Sequence, residues 1–294
     1  MEFRALGPIE LWSDGRLCEL GPGRERSILA MLLLAPRTVV PAETLIDRLW
    51  DTRPPAKARE SLSAYVTRLR ASLRAAAGDE VQLAGRAGGY LLDVDPGLID
   101  LHQFRQLRSQ ADALAAGGDY DRAAVLLREA DGLWRGPALA GIGGDWIARM
   151  RAGLEEERRA AIQERVECEL ELGRHSELVG ELRHLLAQYP LDETFVAHQM
   201  TALYWSGRPG EALSLYRETR DRLVDEQGAE PGPVLSELHQ RILGRDPGLA
   251  VRPADQRPGR GTAPDTLPPE AAEFVGRSAE LGQLTQGHGR SPRV

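Results

Sequence analysis

The stretch Lys57-Ala-Arg-Glu-Ser-Leu-Ser-Ala-Tyr-Val-Thr-Arg-Leu-Arg-Ala-Ser-Leu-Arg-Ala75, with the two alternating runs that follow it, decides the fold of the amino-terminal part. Ala58, Leu62, Tyr65, Val66, Leu69 and Leu73 recur at steps of three and four, so they share one stripe of a helix. Ser61, Ala64, Thr67, Arg68 and Arg70 fall off that stripe. Gly78-Asp79 ends the helix. Val81 and Leu83 then alternate with other residues, Gly85 to Gly89 supply a turn, and Tyr90, Leu92 and Val94 alternate again, which reads as a hairpin.

Upstream of this stretch the order is strands and then two helices. Phe3 to Leu6, Ile9 to Trp12 and Leu17 to Leu20 are short strand-like runs, with Asp14-Gly15 as a hairpin turn. A helix is predicted from about Arg24 to Ala35, stopped by Pro36. Its apolar residues wrap much of its surface, so it should be central. A second helix begins near Pro41, a favoured first-turn residue, and carries Leu45, Ile46, Leu49 and Trp50. Asp51 to Ala56, with Pro54-Pro55, is a stiff connector.

Charge is distributed unevenly. The 294-residue chain has a formal net charge of -7, which argues against a protein that coats nucleic acid over its whole surface. Yet Arg53 to Arg86 holds seven basic and three acidic residues, or +4, leaving -11 for the remainder. A basic patch on an acidic protein suits site-specific binding, although a solvated helix would look the same on charge alone. The two cysteines, Cys18 and Cys168, lie far apart and support neither a disulfide framework nor a metal site. The start does not read as a signal peptide, and the longest apolar run, Ile28 to Ala35, is too short to span a bilayer. A cytoplasmic location without membrane attachment is expected.

From about Gly97 the texture becomes nearly continuous helix, with an internal repeat. Gly118-Asp-Tyr-Asp-Arg-Ala-Ala, Gly173-Arg-His-Ser-Glu-Leu-Val and Gly207-Arg-Pro-Gly-Glu-Ala-Leu align without gaps. The last two glycines are 207 - 173 = 34 residues apart, the tetratricopeptide period. The first two are 173 - 118 = 55 apart, so about 21 residues are inserted between those repeats. Each repeat is expected to be a pair of antiparallel helices bent at the glycine, with stacking burying faces that no single hairpin hides. The expected fold class is therefore mostly α with two small β elements. A winged helix-turn-helix domain over residues 1–95 precedes an all-α tetratricopeptide-like domain over 97–244. Residues 245–294, rich in Pro, Gly, Arg and Asp as far as Pro269, read as a disordered linker and a short final piece, Glu273 to Leu284.

The chemistry follows from the helix and the hairpin. A helix about 10 Å wide fits the major groove of B-DNA, given a buried anchoring stripe and polar or basic groups opposite. Arg68 and Arg70 suit guanine edges or phosphates, Ser61 and Thr67 suit phosphates, and Lys57 and Arg59 sit at the helix start, where the dipole favours phosphate. Arg86, at the hairpin tip between Gly85 and Ala87, suits a minor groove, and Gly88-Gly89-Tyr90 would let the tip approach a backbone. Taken alone, the helix reads better as a surface helix with ordinary arginines, and the tip as a turn arginine in water; helix and tip arginine together favour DNA. A second reading keeps the repeats as a scaffold and makes the amino-terminal domain a protein-binding module. Salt-sensitive, sequence-selective DNA binding separates the two.

Several motifs in order carry a resemblance. Phe3-Arg-Ala-Leu-Gly-Pro-Ile-Glu-Leu-Trp, Asp14-Gly15, Arg24-Glu-Arg-Ser-Ile-Leu-Ala-Met-Leu-Leu-Leu, Leu45-Ile-Asp-Arg-Leu-Trp and Tyr65-Val-Thr-Arg-Leu-Arg closely resemble the Streptomyces antibiotic regulatory protein family. Trp134-Arg-Gly-Pro-Ala-Leu and Tyr189-Pro-Leu-Asp-Glu-Thr resemble its second domain. The resemblance covers roughly Met1 to Leu243. It implies an OmpR-type winged helix joined to a bacterial transcriptional activator domain. It also implies activation of transcription, often of a secondary-metabolite (antibiotic) gene cluster, by binding direct repeats in double-stranded DNA and contacting RNA polymerase. Carried over by position, Ala64, Arg68 and Arg70 would read bases, Thr67 and Ser61 would hold phosphates, and Arg86 would be the wing arginine. Asp51 and Arg53 would face polymerase, and two subunits would sit together on DNA as a homodimer.

Large relatives continue into a nucleotide-binding domain, whose opening Phe274-Val-Gly-Arg-Ser-Ala-Glu-Leu resembles. The chain holds no Gly-x-x-x-x-Gly-Lys-Ser/Thr, and its only lysine is Lys57, so no nucleotide cofactor or hydrolysis is expected. The piece reads as a short family member or as part of a longer one. The six histidines form no catalytic grouping, and Glu155-Glu156-Glu157 reads as a solvated run, so no enzyme is expected.

Overall fold

The computed structural model describes residues 1–78 and 80–249. The Glu273 to Leu284 piece and the Phe274 motif lie outside the described residues, as does Asp79.

Three antiparallel strands come first: β1 (Glu2–Arg4), β2 (Glu10–Ser13) and β3 (Arg16–Cys18), in that spatial order. Asp14 and Gly15 both take positive φ, 50° and 72°, which matches the right-handed twist of the strands they join. Helix α1 (Gly23–Leu33) is central, with every residue from Ser27 to Leu33 buried. Strand β4 (Val40–Pro41) leads into α2 (Ala42–Trp50), and α3 (Ala58–Ala77) follows. Hairpin β5 (Gln82–Arg86) and β6 (Gly89–Asp93) completes a second sheet of order β4-β6-β5.

Sequence periodicity does not reveal β4. Pro41 closes α2 from outside and pairs opposite Gly89, with Val40 opposite Tyr90. A proline fits an edge strand because it has no ladder hydrogen to donate. Gly89 is required there, since a Cβ on it would stand 2.3 Å from the Val40 carbonyl oxygen. The close backbone approach made by this glycine is therefore to its own chain.

Seven helices follow: α4 (Asp100–Ala116), α5 (Tyr120–Gly132), α6 (Asp145–Glu171), α7 (His175–Gln188), α8 (Glu193–Trp205), α9 (Pro209–Gln227) and α10 (Pro233–Leu243). The repeat glycines occupy equivalent bends. Gly118, Gly173 and Gly207 have φ of 81°, 77° and 75°. The amide after each one donates to a carbonyl five residues back: Asp119 to Leu114, Arg174 to Glu169 and Arg208 to Leu203. A side chain would strain this left-handed conformation, so the glycines recur with the bends. The insertion between the first two repeats consists of the loop 133–144 and a lengthened α6.

One apolar core runs from Phe3 through α1, α3, α4 and α5 to Cys168 on α6, and a second gathers Ile162 to Leu249. The winged helix and the first repeat hairpin are thus packed as one. Asp100, fully buried, accepts the amides of Ala5 (2.8 Å) and Leu6 (3.1 Å) and pairs with Arg135. Burial raises the Asp100 carboxyl above its ordinary range, against the pull of these donors. Arg135, Leu139 and Ala140 in turn donate their amides to Leu6, Ala5 and Gly7. Arg151 holds the same loop through the carbonyls of Ala138, Leu139 and Ile142, at 2.8–3.1 Å.

Residues 245–249 do not open a disordered linker. Pro247–Leu249 forms a 3-10 turn, Leu249 is buried, its carbonyl accepts from Trp205 Nε1 (2.7 Å), and Asp246 pairs with Arg241. Apolar burial against the second core outweighs the local Pro and Gly content.

Candidate nucleic-acid interface

Helix α3 buries Leu62, Val66, Leu69 and Leu73 and seats Tyr65 beside Trp50, ring centroids 6.1 Å apart. Its opposite side exposes Glu60, Ser63, Ala64, Thr67, Ala71 and Arg74. Arg59, Glu60, Ser63, Ala64, Thr67 and Arg68 border a shallow concave surface. The Thr67 hydroxyl donates back to the Ser63 carbonyl (2.8 Å), which fixes its rotamer and leaves lone pairs facing out.

Two arginines flank this face, each held by one nitrogen. Arg68 donates Nε to Oε1 of the buried Glu25 (2.7 Å) and lies over the Tyr65 ring at 4.9 Å. Arg70 donates Nε to the Leu83 carbonyl on β5 (2.8 Å), so it leans toward the hairpin. In both, the terminal Nη groups make no hydrogen bond among the described residues. A guanidinium steadied at Nε keeps the paired N–H groups that suit a guanine edge or a phosphate. Arg86 is exposed at the hairpin tip, with a 3.4 Å contact to the Gly85 carbonyl. Ser61 sits at the half-buried margin of α3, away from the exposed centre. Lys57 pairs with Glu60 (3.3 Å), and Arg59 with Glu43 at the start of α2 (2.8 Å through Nε).

The helix, the wing and the repeats that follow match two protein-family models. Residues 19–92 match the transcriptional regulatory protein C-terminal domain, and residues 99–243 match the bacterial transcriptional activator domain. The chain is 37% identical to the regulatory protein DnrI of Streptomyces peucetius, over 85% of this chain and 94% of that protein. The chain belongs to the Streptomyces antibiotic regulatory protein family. It is also 38% identical to the regulatory protein AfsR of Streptomyces coelicolor over 97% of this chain, and it spans 28% of that relative's length. The solved structure of Mycobacterium tuberculosis EmbR in complex with a low-affinity phosphopeptide superposes with a TM-score of 0.81. It is 32% identical, over 86% of this chain and 66% of that one. This is a family of transcription regulators with a DNA-binding domain.

The α2–α3 connector of this family member is tied to its activator domain. Asp51 takes φ 50° and directs Oδ2 to the amide of Asp145, the first residue of α6, at 3.3 Å. Arg48 lies over the Trp146 ring at 4.7 Å. Beyond Asp51 the connector is exposed from Thr52 to Lys57, and the Arg53 side chain makes no hydrogen bond or ion pair among the described residues.

Stripe logic passes over Glu60, Ser63 and Ala71, although the spacing that defines the buried stripe defines its opposite too. Glu25 carries no such signal: an acid inside an apolar helix finds its arginine 43 positions away. Among the described residues no helix is long and apolar enough to cross a membrane.

Proposed function

We propose that this chain is a sequence-specific DNA-binding activator of transcription, acting on a secondary-metabolite (antibiotic) gene cluster from the cytoplasm. Helix α3 enters the major groove. Ala64, Arg68 and Arg70 read base edges, with Ala64 suited to a thymine methyl and the arginines to guanine. Thr67, Ser61, Lys57 and Arg59 steady the complex on phosphates, and Arg86 enters the minor groove. The observation that carries this reading is the exposed α3 face flanked by Arg68 and Arg70, each fixed at Nε with its Nη groups making no hydrogen bond among the described residues.

Two subunits bind direct repeats as a homodimer on DNA, and the connector carrying Asp51 and Arg53 recruits RNA polymerase. No cofactor and no catalysis enter this reading. The experiment is footprinting with promoters neighbouring the gene, combined with gel shifts across a salt series. Protection of two repeated half-sites, with affinity falling steeply as salt rises, is expected. Absence of salt-sensitive, selective binding at micromolar protein would instead favour the protein-binding scaffold.

A further inference from the structure

One row of helix α3 points straight away from the core. At about 100° per residue, Glu60, Ala64 and Ala71 fall within about 40° of one another, opposite the buried Leu62, Val66, Leu69 and Leu73. Ser63 and Thr67 stand beside this row, and Arg68 and Arg70 lie about 80° to either side of Glu60. The centre of the face is thus made of small side chains, which lets the helix lie close to a groove floor. Glu60 is the long side chain at its amino-terminal end, the third residue of the helix. In a groove-bound helix the amino-terminal residues are the ones that meet base edges.

The ordinary uses of an acid here do not account for this placement. A glutamate at the third helical position can close a capping box, but the N-cap is Lys57 and no side chain caps the helix. The helix dipole favours an acid anywhere in the first turn and does not select the outward row. Lys57 Nζ lies 3.3 Å from Glu60, with the two side chains 75% and 71% exposed. Such an exposed pair holds little free energy, so the lysine can turn to a phosphate and release the carboxylate. Arg59 does not compete for it, because Arg59 is bound to Glu43.

A carboxylate can only accept. On the floor of the major groove guanine presents N7 and O6, and thymine O4, all acceptors that repel it. Adenine sets its N6 donor beside the N7 acceptor, whereas cytosine presents its N4 amino group with no acceptor next to it. A free carboxylate facing a polyanion costs affinity on every other sequence, so its contribution is discrimination.

We propose that Glu60 accepts a hydrogen bond from the N4 amino group of a cytosine, giving each half-site one cytosine-selective position under the first turn of α3. The inference rests on the DNA-reading role of α3 and names a base that this role leaves open.

The test is selection from a randomised duplex pool with the full chain, followed by competition gel shifts with single-base changes in the selected site. Wild type, Glu60→Gln and Glu60→Ala are compared, with Glu43→Gln as an equal charge change outside the outward row. Wild type should prefer cytosine at one position of the half-site by about tenfold. Glu60→Gln should move that preference to adenine, whose N6 and N7 suit an amide, and leave the other positions unchanged. Glu60→Ala should erase the preference there and tighten random duplex by about two- to fivefold. Glu43→Gln should leave the base profile as it is. Melting temperatures within a degree or two of wild type are expected, since Glu60 is exposed. One base profile shared by wild type, Glu60→Gln and Glu60→Ala would overturn the proposal while the DNA-reading role of α3 stands. A wild-type chain that selects no sequence at all would overturn both.

Discussion

Glu25 Oε1, on the buried side of the central helix α1, accepts a 2.7 Å hydrogen bond from Nε of Arg68 on α3. Glu25 is 1% exposed and Arg68 56% exposed, so the pair links the interior of the domain to its surface. Glu25 orients an arginine whose outer nitrogens stay available. Arg68→Ala should weaken specific DNA binding by ~1–3 kcal/mol and leave random DNA nearly unaffected. Glu25→Gln should lower the same specificity ratio without touching DNA. If competition gel shifts show specific and random DNA weakened alike, Arg68 is a phosphate contact and not a reader.

Arg86→Ala removes the tip cation and no packing. The salt dependence of binding should flatten by about one counterion, with little change in folding stability. An unchanged salt slope would place the tip away from the duplex.

A substitution at Asp51 tests activation apart from binding. Asp51→Ala removes the side-chain acceptor at the first amide of α6, a loss of about 0.5–2 kcal/mol by analogy with helix caps. Promoter affinity should hold, while transcription in a reconstituted assay with RNA polymerase falls several-fold. Loss of promoter affinity at equal fold stability would assign Asp51 to DNA binding instead.

The seam between the domains rests on Asp100. Asp100→Ala leaves Arg135 and the amides of Ala5 and Leu6 without their acceptor, which should cost about 3–5 kcal/mol in denaturant unfolding. A loss under 1 kcal/mol would mean that the seam is held by apolar packing alone. Gly89→Ala forces a Cβ against the Val40 carbonyl and should cost about 1–3 kcal/mol.

Cys168, with its thiol raised to about 11, should resist iodoacetamide at pH 8 until the chain unfolds, because the thiolate is the reactive form. Mass-spectrometric counting of modified thiols before and after denaturation checks this. Rapid modification of Cys168 in the native chain would show that the packing around it opens freely.

The α3 stripe, the Asp14-Gly15 turn, the apolar positions of α1 and the three repeat glycines were legible because each is a local constraint. Period, backbone handedness and side-chain volume act within a few residues, and so leave a local trace in the sequence. The family motifs follow the same order because they are these same constraints read together.

What only the tertiary structure decided are the partners over distance. Arg68 and Glu25 are 43 positions apart, Asp100 and Ala5 95, and Asp51 and Asp145 94. No periodicity encodes such a pair; it exists because packing brings an acid within reach of donors far away in the chain. The same holds for β4, two residues long and defined by Gly89 across the sheet. Residues 245–249, by composition the start of a linker, are ordered because the second core leaves a seat for Leu249. Sequence thus determined the elements and the family, while packing decided which charged side chains face outward and which are committed within the fold.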